Sequence, residues 1–88
     1  MKQLTIKLET IFERPVSRSQ AREVLKDAQK FQSLIMDYEA VPEIGQAFAD
    51  EIYRVFQNTY PDIVIREENM FEGVRFMVER AKSEAKKN

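Results

Sequence analysis

An α/β fold is expected for this 88-residue chain, and three observations predict it. Leu4, Ile6 and Leu8 alternate with Thr5, Lys7 and Glu9, the period-two pattern of a half-buried strand. Leu34-Ile35-Met36 and Ile63-Val64-Ile65 are short apolar runs with the length and composition of further strands. Three stretches with helical periodicity follow these segments in turn, and such alternation argues a mostly parallel or mixed sheet with helical cover.

The first strand is expected over 3–12, where Arg14-Pro15 breaks the run. Ser17 and Gln20 form a capping-box pattern, and Ala21, Val24, Leu25 and Ala28 then give one apolar stripe. Leu34-Ile35-Met36 reads as a central strand buried on both faces, closed by Asp37 and Tyr38. The segment 39–43, with Pro42, reads as a loop. Gly45 opens a second helix to about Thr59 with Phe48, Ile52, Val55 and Phe56 on its core face. Asp50 and Glu51 sit early in this helix, and Asp50 and Arg54 form an i,i+4 pair. Asn58, Pro61 and Asp62 end it. Asn69 and Glu72 resemble another capping box, with Met70 and Phe71 as a staple or a small exposed patch. Val74, Met77, Val78, Ala81 and Ala85 are the buried stripe of the third helix.

Composition limits function. There is no Cys and no His, which removes thiolate chemistry and the commonest general base and metal ligand. The carboxylates Asp37, Asp50, Glu51, Glu67 and Glu68 read as solvated charges, no phosphate-loop fingerprint is present, and neither enzyme, metal nor cofactor is expected. Fourteen basic residues nearly balance fifteen acidic ones, so nucleic acid is a secondary expectation, resting on Arg14, Arg18 and Arg22. No apolar run has membrane-spanning length and the N-terminus lacks a signal-peptide core, so a cytoplasmic location is expected. A strand edge at 3–12 leaves a homodimer open.

The stretch Arg14-Pro15-Val16-Ser17-Arg18-Ser19-Gln20-Ala21, Asp37 followed by Val41, and the run from Ile44 through Gly45-Gln46-Ala47-Phe48-Ala49-Asp50-Glu51 to Phe56 resemble a bacterial family of uncharacterised STAS-like domains. The likeness carries over roughly residues 14 to 81. Within a single domain 1–88, 13–82 is assigned to the family and 83–88 reads as a frayed tail. The wider group includes anti-sigma-factor antagonists that bind an ATPase-fold kinase and carry a phosphorylated Ser or Thr at a helix start. The resemblance therefore implies a regulatory protein-binding module whose partner is an ATPase-fold, anti-sigma-like protein or a transcription regulator. The corresponding positions here are Gly45, Gln46, Ala47 and Phe48, with no Ser or Thr between Tyr38 and Asn58, which rules out that phosphoswitch. The expected docking set is Glu43, Gly45, Gln46, Ala49, Asp50, Tyr53 and Arg54, with Gln57 beside it. An inhibitor carried by a mobile element is a further alternative.

Overall fold

Three parallel strands lie side by side in the order β1 (Gln3–Lys7), β2 (Ser33–Asp37) and β3 (Val64–Glu68). The computed structural model describes residues 2–10 and 14–86. The first strand is shorter than expected: a 3-10 turn, Leu8–Thr10, follows Lys7, and 11–13 lie outside the described residues. Leu8 in that turn is fully buried.

Helix α1 (Arg18–Val24) starts on the capping box read from the sequence. The Gln20 amide nitrogen of the backbone donates to Ser17 Oγ at 3.1 Å, and Ser17 N donates to Gln20 Oε1 at 2.9 Å. The chain then tightens. Lys26 N donates to Glu23 O, and Ala28–Lys30 forms a separate 3-10 turn, while Ala21, Leu25 and Ala28 stay buried.

Helix α2 spans 46–59 in three stretches: α-helical Gln46–Asp50, a π-helical Glu51–Phe56 and a last α-turn Gln57–Thr59. The π stretch corrects the expected core stripe. In an α-helix residues four apart are rotated by roughly 40°. The wider i→i+5 turn brings them nearer to alignment, so Phe48, Ile52 and Phe56 stack on the sheet while Val55 turns to a half-buried position.

Helix α3 (Glu72–Ala85) does not start on a capping box. Its N-cap is Phe71, which makes no side-chain cap bond and is exposed, whereas Asn69 takes φ 60° and donates from Nδ2 to Asp37 Oδ1 at 2.9 Å. Met70 packs partly against the core. The helix continues through Ala85, past the point where fraying was expected.

Right-handed crossovers that step across the sheet in one direction put their helices on one face. Contacts agree: α2 lies between α1 and α3 and touches both. The covered face holds Leu4, Ile6, Leu34, Met36 and Ile65. The other face carries the rows Gln3–Ser33–Val64, Thr5–Ile35–Arg66 and Lys7–Asp37–Glu68. The expectation that β2 is buried on both faces is corrected at one position: Ile35, on the face away from the helices, is only half-buried, although Ser33 and Asp37 on either side of it are buried. β3 starts one residue later than the apolar run, with Ile63 buried in the preceding turn and Val64 exposed.

One hydrogen bond lies deep in this core. The hydroxyls of Tyr38 and Tyr53 are 2.8 Å apart and both side chains are buried. Burial, more than any neighbour, raises both phenol pKa values well above the ordinary 10. Tyr38→Phe and Tyr53→Phe each strand a buried hydroxyl and are expected to cost about 1–3 kcal/mol. The double variant removes donor and acceptor together, so a urea-denaturation cycle is expected to give less than the sum of the single losses.

Candidate functional site

The loops after β1 and β2 meet at the C-terminal ends of the strands, where open parallel sheets usually place their sites. Their junction is tight. Gly45 N donates to Pro15 O at 2.9 Å. A Cβ on Gly45 would sit 2.7 Å from Val16 O and 2.8 Å from Val16 Cα, so no larger residue fits without moving the backbone. Its φ of −78° is open to any residue, so the glycine is there for close approach and not for an unusual turn. The β2–α2 loop is pinned by buried Val41 and Ile44, and Ala40 within it holds φ 61°, a left-handed conformation costly for alanine. Asp37, at the end of β2, accepts from Glu39 N at 3.0 Å and from Asn69, and these two bonds lower its pKa.

Two open grooves flank the junction. One, of about 420 Å³, is lined by Arg14, Val16, Pro42, Glu43, Ile44 and Gly45. The other, of about 560 Å³, is lined by Arg18, Gln46, Ala47, Asp50, Arg54 and Glu84. Helix α3 borders the β2–α2 loop, since a Cβ on Gly73 would lie 3.3 Å from Pro42 O.

An ion network ties α1 to α2. Arg18 donates to Asp50 Oδ2 at 2.7 Å and approaches Glu51 Oε1 at 3.4 Å. Arg22 reaches Glu51 Oε2 at 3.3 Å. Arg54 binds both oxygens of Asp50 at 2.7 and 2.8 Å, a two-point contact suited to the guanidinium fork. The Arg54 hydrogen bond, with help from Arg18, takes the Asp50 carboxyl from the ordinary 3.8 to about 2. Arg14 lies 3.9 Å from Glu43 in an exposed pair worth little.

The two expected residue sets therefore converge on one surface. Glu43 and Gln46 are exposed, Gly45 is half-buried, and Asp50 and Arg54 line the second groove. Ala49 and Tyr53 correct the expectation: they are 1% and 2% exposed, because α2 is flanked by helices on both sides and buries more than one stripe. Neither can anchor a partner. Gln57 is used internally, its amide donating to Tyr60 O and Ile63 O. Arg14, Arg18 and Arg22 each face a carboxylate, so they form no uncompensated basic stripe for phosphate. Val16, 46% exposed, and Pro42 enter the site without having been singled out for it. The available signal was Val16 immediately before the Ser17 cap, a position where an apolar residue borders a helix entry.

Among the described residues no group of three or more acidic side chains could hold a metal. Glu68 stands beside Asp37 in the strand register. Glu67 Oε1 accepts from Lys82 Nζ at 3.2 Å, and its Oε2 is buried without a hydrogen-bond partner.

Gly45→Ala is expected to destabilise the fold by about 1–3 kcal/mol, read as a lower urea midpoint at unchanged slope. Asp50 gives a pH signature. Its folded pKa is depressed, so its contribution is complete above about 3.8 and is lost as pH falls toward about 2. The stability gap between the native chain and Asp50→Asn is expected to close across that interval in melts recorded from pH 5 down to about pH 2.

The model of a family described as a STAS-like domain of unknown function (DUF4325) matches residues 20–70, more than half of the chain. The match runs from within α1 through β2, α2 and β3, and leaves out the Arg14–Ser19 part of the resemblance. No curated protein and no solved structure matches. With β2, the central helix, β3 and Gly45 inside a matched span of more than half the chain, the chain belongs to the family of STAS-like domains of unknown function.

Proposed function

We propose that this STAS-like domain is a non-catalytic regulatory module that binds another protein through the Gly45 junction. The observation that carries this reading is the rigid meeting of two loops at the strand ends. It presents Val16, Pro42, Glu43 and Gln46 between two open grooves, on a base held by a hydrogen bond and by backbone contact. A fixed backbone with small apolar and polar groups on top gives shape recognition at low ordering cost. The resemblance to anti-sigma-antagonist domains favours an ATPase-fold, anti-sigma-like protein or a transcription regulator as the partner, in the cytoplasm. Among the described residues no helix is long and apolar enough to cross a membrane. Regulation would not use a phosphorylated Ser or Thr at the start of α2, where the residues are Gln46, Ala47 and Phe48.

Capture from native extract, followed by titration of the purified candidate, tests the surface. Val16→Glu combined with Gln46→Lys changes only exposed side chains and is expected to weaken binding at least ~30-fold, in line with loss of about 2 kcal/mol at an interface centre. Glu79→Lys, on the exposed side of α3, serves as control and is expected to bind like the native chain. Equal binding by all three proteins would remove the Gly45 junction as the docking surface.

A further inference from the structure

The outward face of α3 carries a charge pattern that matches itself. Val74, Val78 and Ala81 are the buried side of the helix. At 3.6 residues per turn Phe76 lies roughly opposite them. It is 61% exposed, more than any other large apolar side chain among the described residues. Local structure gives no reason for it, since the position is mid-helix and phenylalanine is a weaker helix former than alanine or leucine. The other exposed apolar groups have a place in the chain. Tyr60 packs on Phe56 at 4.9 Å between ring centres, Val16 belongs to the Gly45 junction, and Val64 and Phe71 stand where β3 and α3 begin.

Glu72 lies four residues before Phe76 and Arg80 four after it, so both flank the ring on the same face of the helix. Both are exposed, and neither is in a salt bridge among the described residues. The order acid, ring, base is self-complementary under a two-fold axis. With a second α3 laid antiparallel and the axis beside Phe76, ring meets ring, and Glu72 of each copy faces Arg80 of the other. One aromatic pair and two opposite-charge pairs then meet over about two and a half turns. A parallel copy sets Glu72 against Glu72 and Arg80 against Arg80, so the charges select the antiparallel arrangement. Each copy uses the same patch in that arrangement, so association closes at two.

We propose that a second copy of this chain packs on the outward face of α3, antiparallel, about a two-fold axis beside Phe76. One helix of fourteen residues forms the contact, so the interface belongs to the small, weakly associating class. The inference uses none of the residues of the Gly45 junction and stands or falls without it.

Sedimentation equilibrium over ~5 µM to ~0.5 mM tests it. The native chain is expected to show reversible, concentration-dependent dimerisation. Phe76→Ala removes a ring that the monomer leaves in water, and is expected to weaken the dimer at least ~10-fold without lowering the melting temperature. Glu72→Arg and Arg80→Glu each set like charges against each other twice, and each is expected to weaken self-association several-fold, an effect that fades as salt is added. Mixed in equal amounts, the two charge variants are complementary again and are expected to associate within a few-fold of the native chain. If Phe76→Ala melts early, the charge variants and their mixture decide. A native chain that stays monomeric throughout overturns the proposal. So do charge variants that each associate like the native chain, or a mixture no stronger than its components.

Discussion

The structure turns on the burial of α2. A three-stranded sheet with helices on one face leaves its middle helix enclosed by strands below and by α1 and α3 at its sides. That enclosure removes Phe48, Ile52 and Phe56 from water, but it also draws in Ala49, Glu51 and Tyr53. Two carboxylates are thereby placed where they are only 11% and 16% exposed, and unpaired charge in such surroundings is costly. Arg18 and Arg22 from α1 and Arg54 from α2 itself answer that cost. Pairs of this kind add little net stability over an apolar replacement, yet breaking one is expensive. Here they connect one helix to its neighbour at defined points and so set how α1 meets α2.

The same enclosure explains the polar groups within the core. Tyr53 points from α2 toward the sheet and needs a partner for its hydroxyl, which Tyr38 supplies from the end of β2. Lys82 of α3 lies over the Tyr53 ring at 5.5 Å and reaches Glu67 on β3. A line of contacts thus runs from strand end to central helix to terminal helix. Glu67 closes it, with Oε1 paired to Lys82 and its carboxylate, whose Oε2 is buried, close enough to the Tyr53 hydroxyl to help raise that phenol's pKa.

Local signals were legible where one residue pair decides the outcome. Ser17 and Gln20 act within one turn, and the capping box forms as read. The element order followed from periodicity, which depends only on near neighbours along the chain. What was not legible depends on where helices go. The run Leu34-Ile35-Met36 looks like a strand covered twice, but crossover handedness sends α1 and α2 to one side, α3 packs beside α2, and Ile35 is left half-buried. Asn69 and Glu72 have capping-box spacing, yet Asn69 is drawn to Asp37, thirty-two residues earlier. Tyr53 looked available because it lies beside the Phe48 stripe, and only the position of α3 buries it. The three arginines looked like a basic group because their partners lie on another helix or on the next loop.

Charge compensation also constrains how the junction works. The chain carries a net charge of −1, and the arginines around the junction are paired with carboxylates of the same chain. Such a surface projects little field, so it does not accelerate encounter as a one-sign patch does. On the proposed reading, recognition there would rest on fit against a closely packed backbone, since Gly45 lies so near Val16 that even a Cβ would not fit between them. A partner that needed the arginines would have to break the Asp50 and Glu51 pairs first and leave those carboxylates uncompensated. The exposed groups at the loop tips are available without that penalty, which is why Val16, Pro42 and Gln46, and not the ion network beneath them, are proposed as the face a partner would meet.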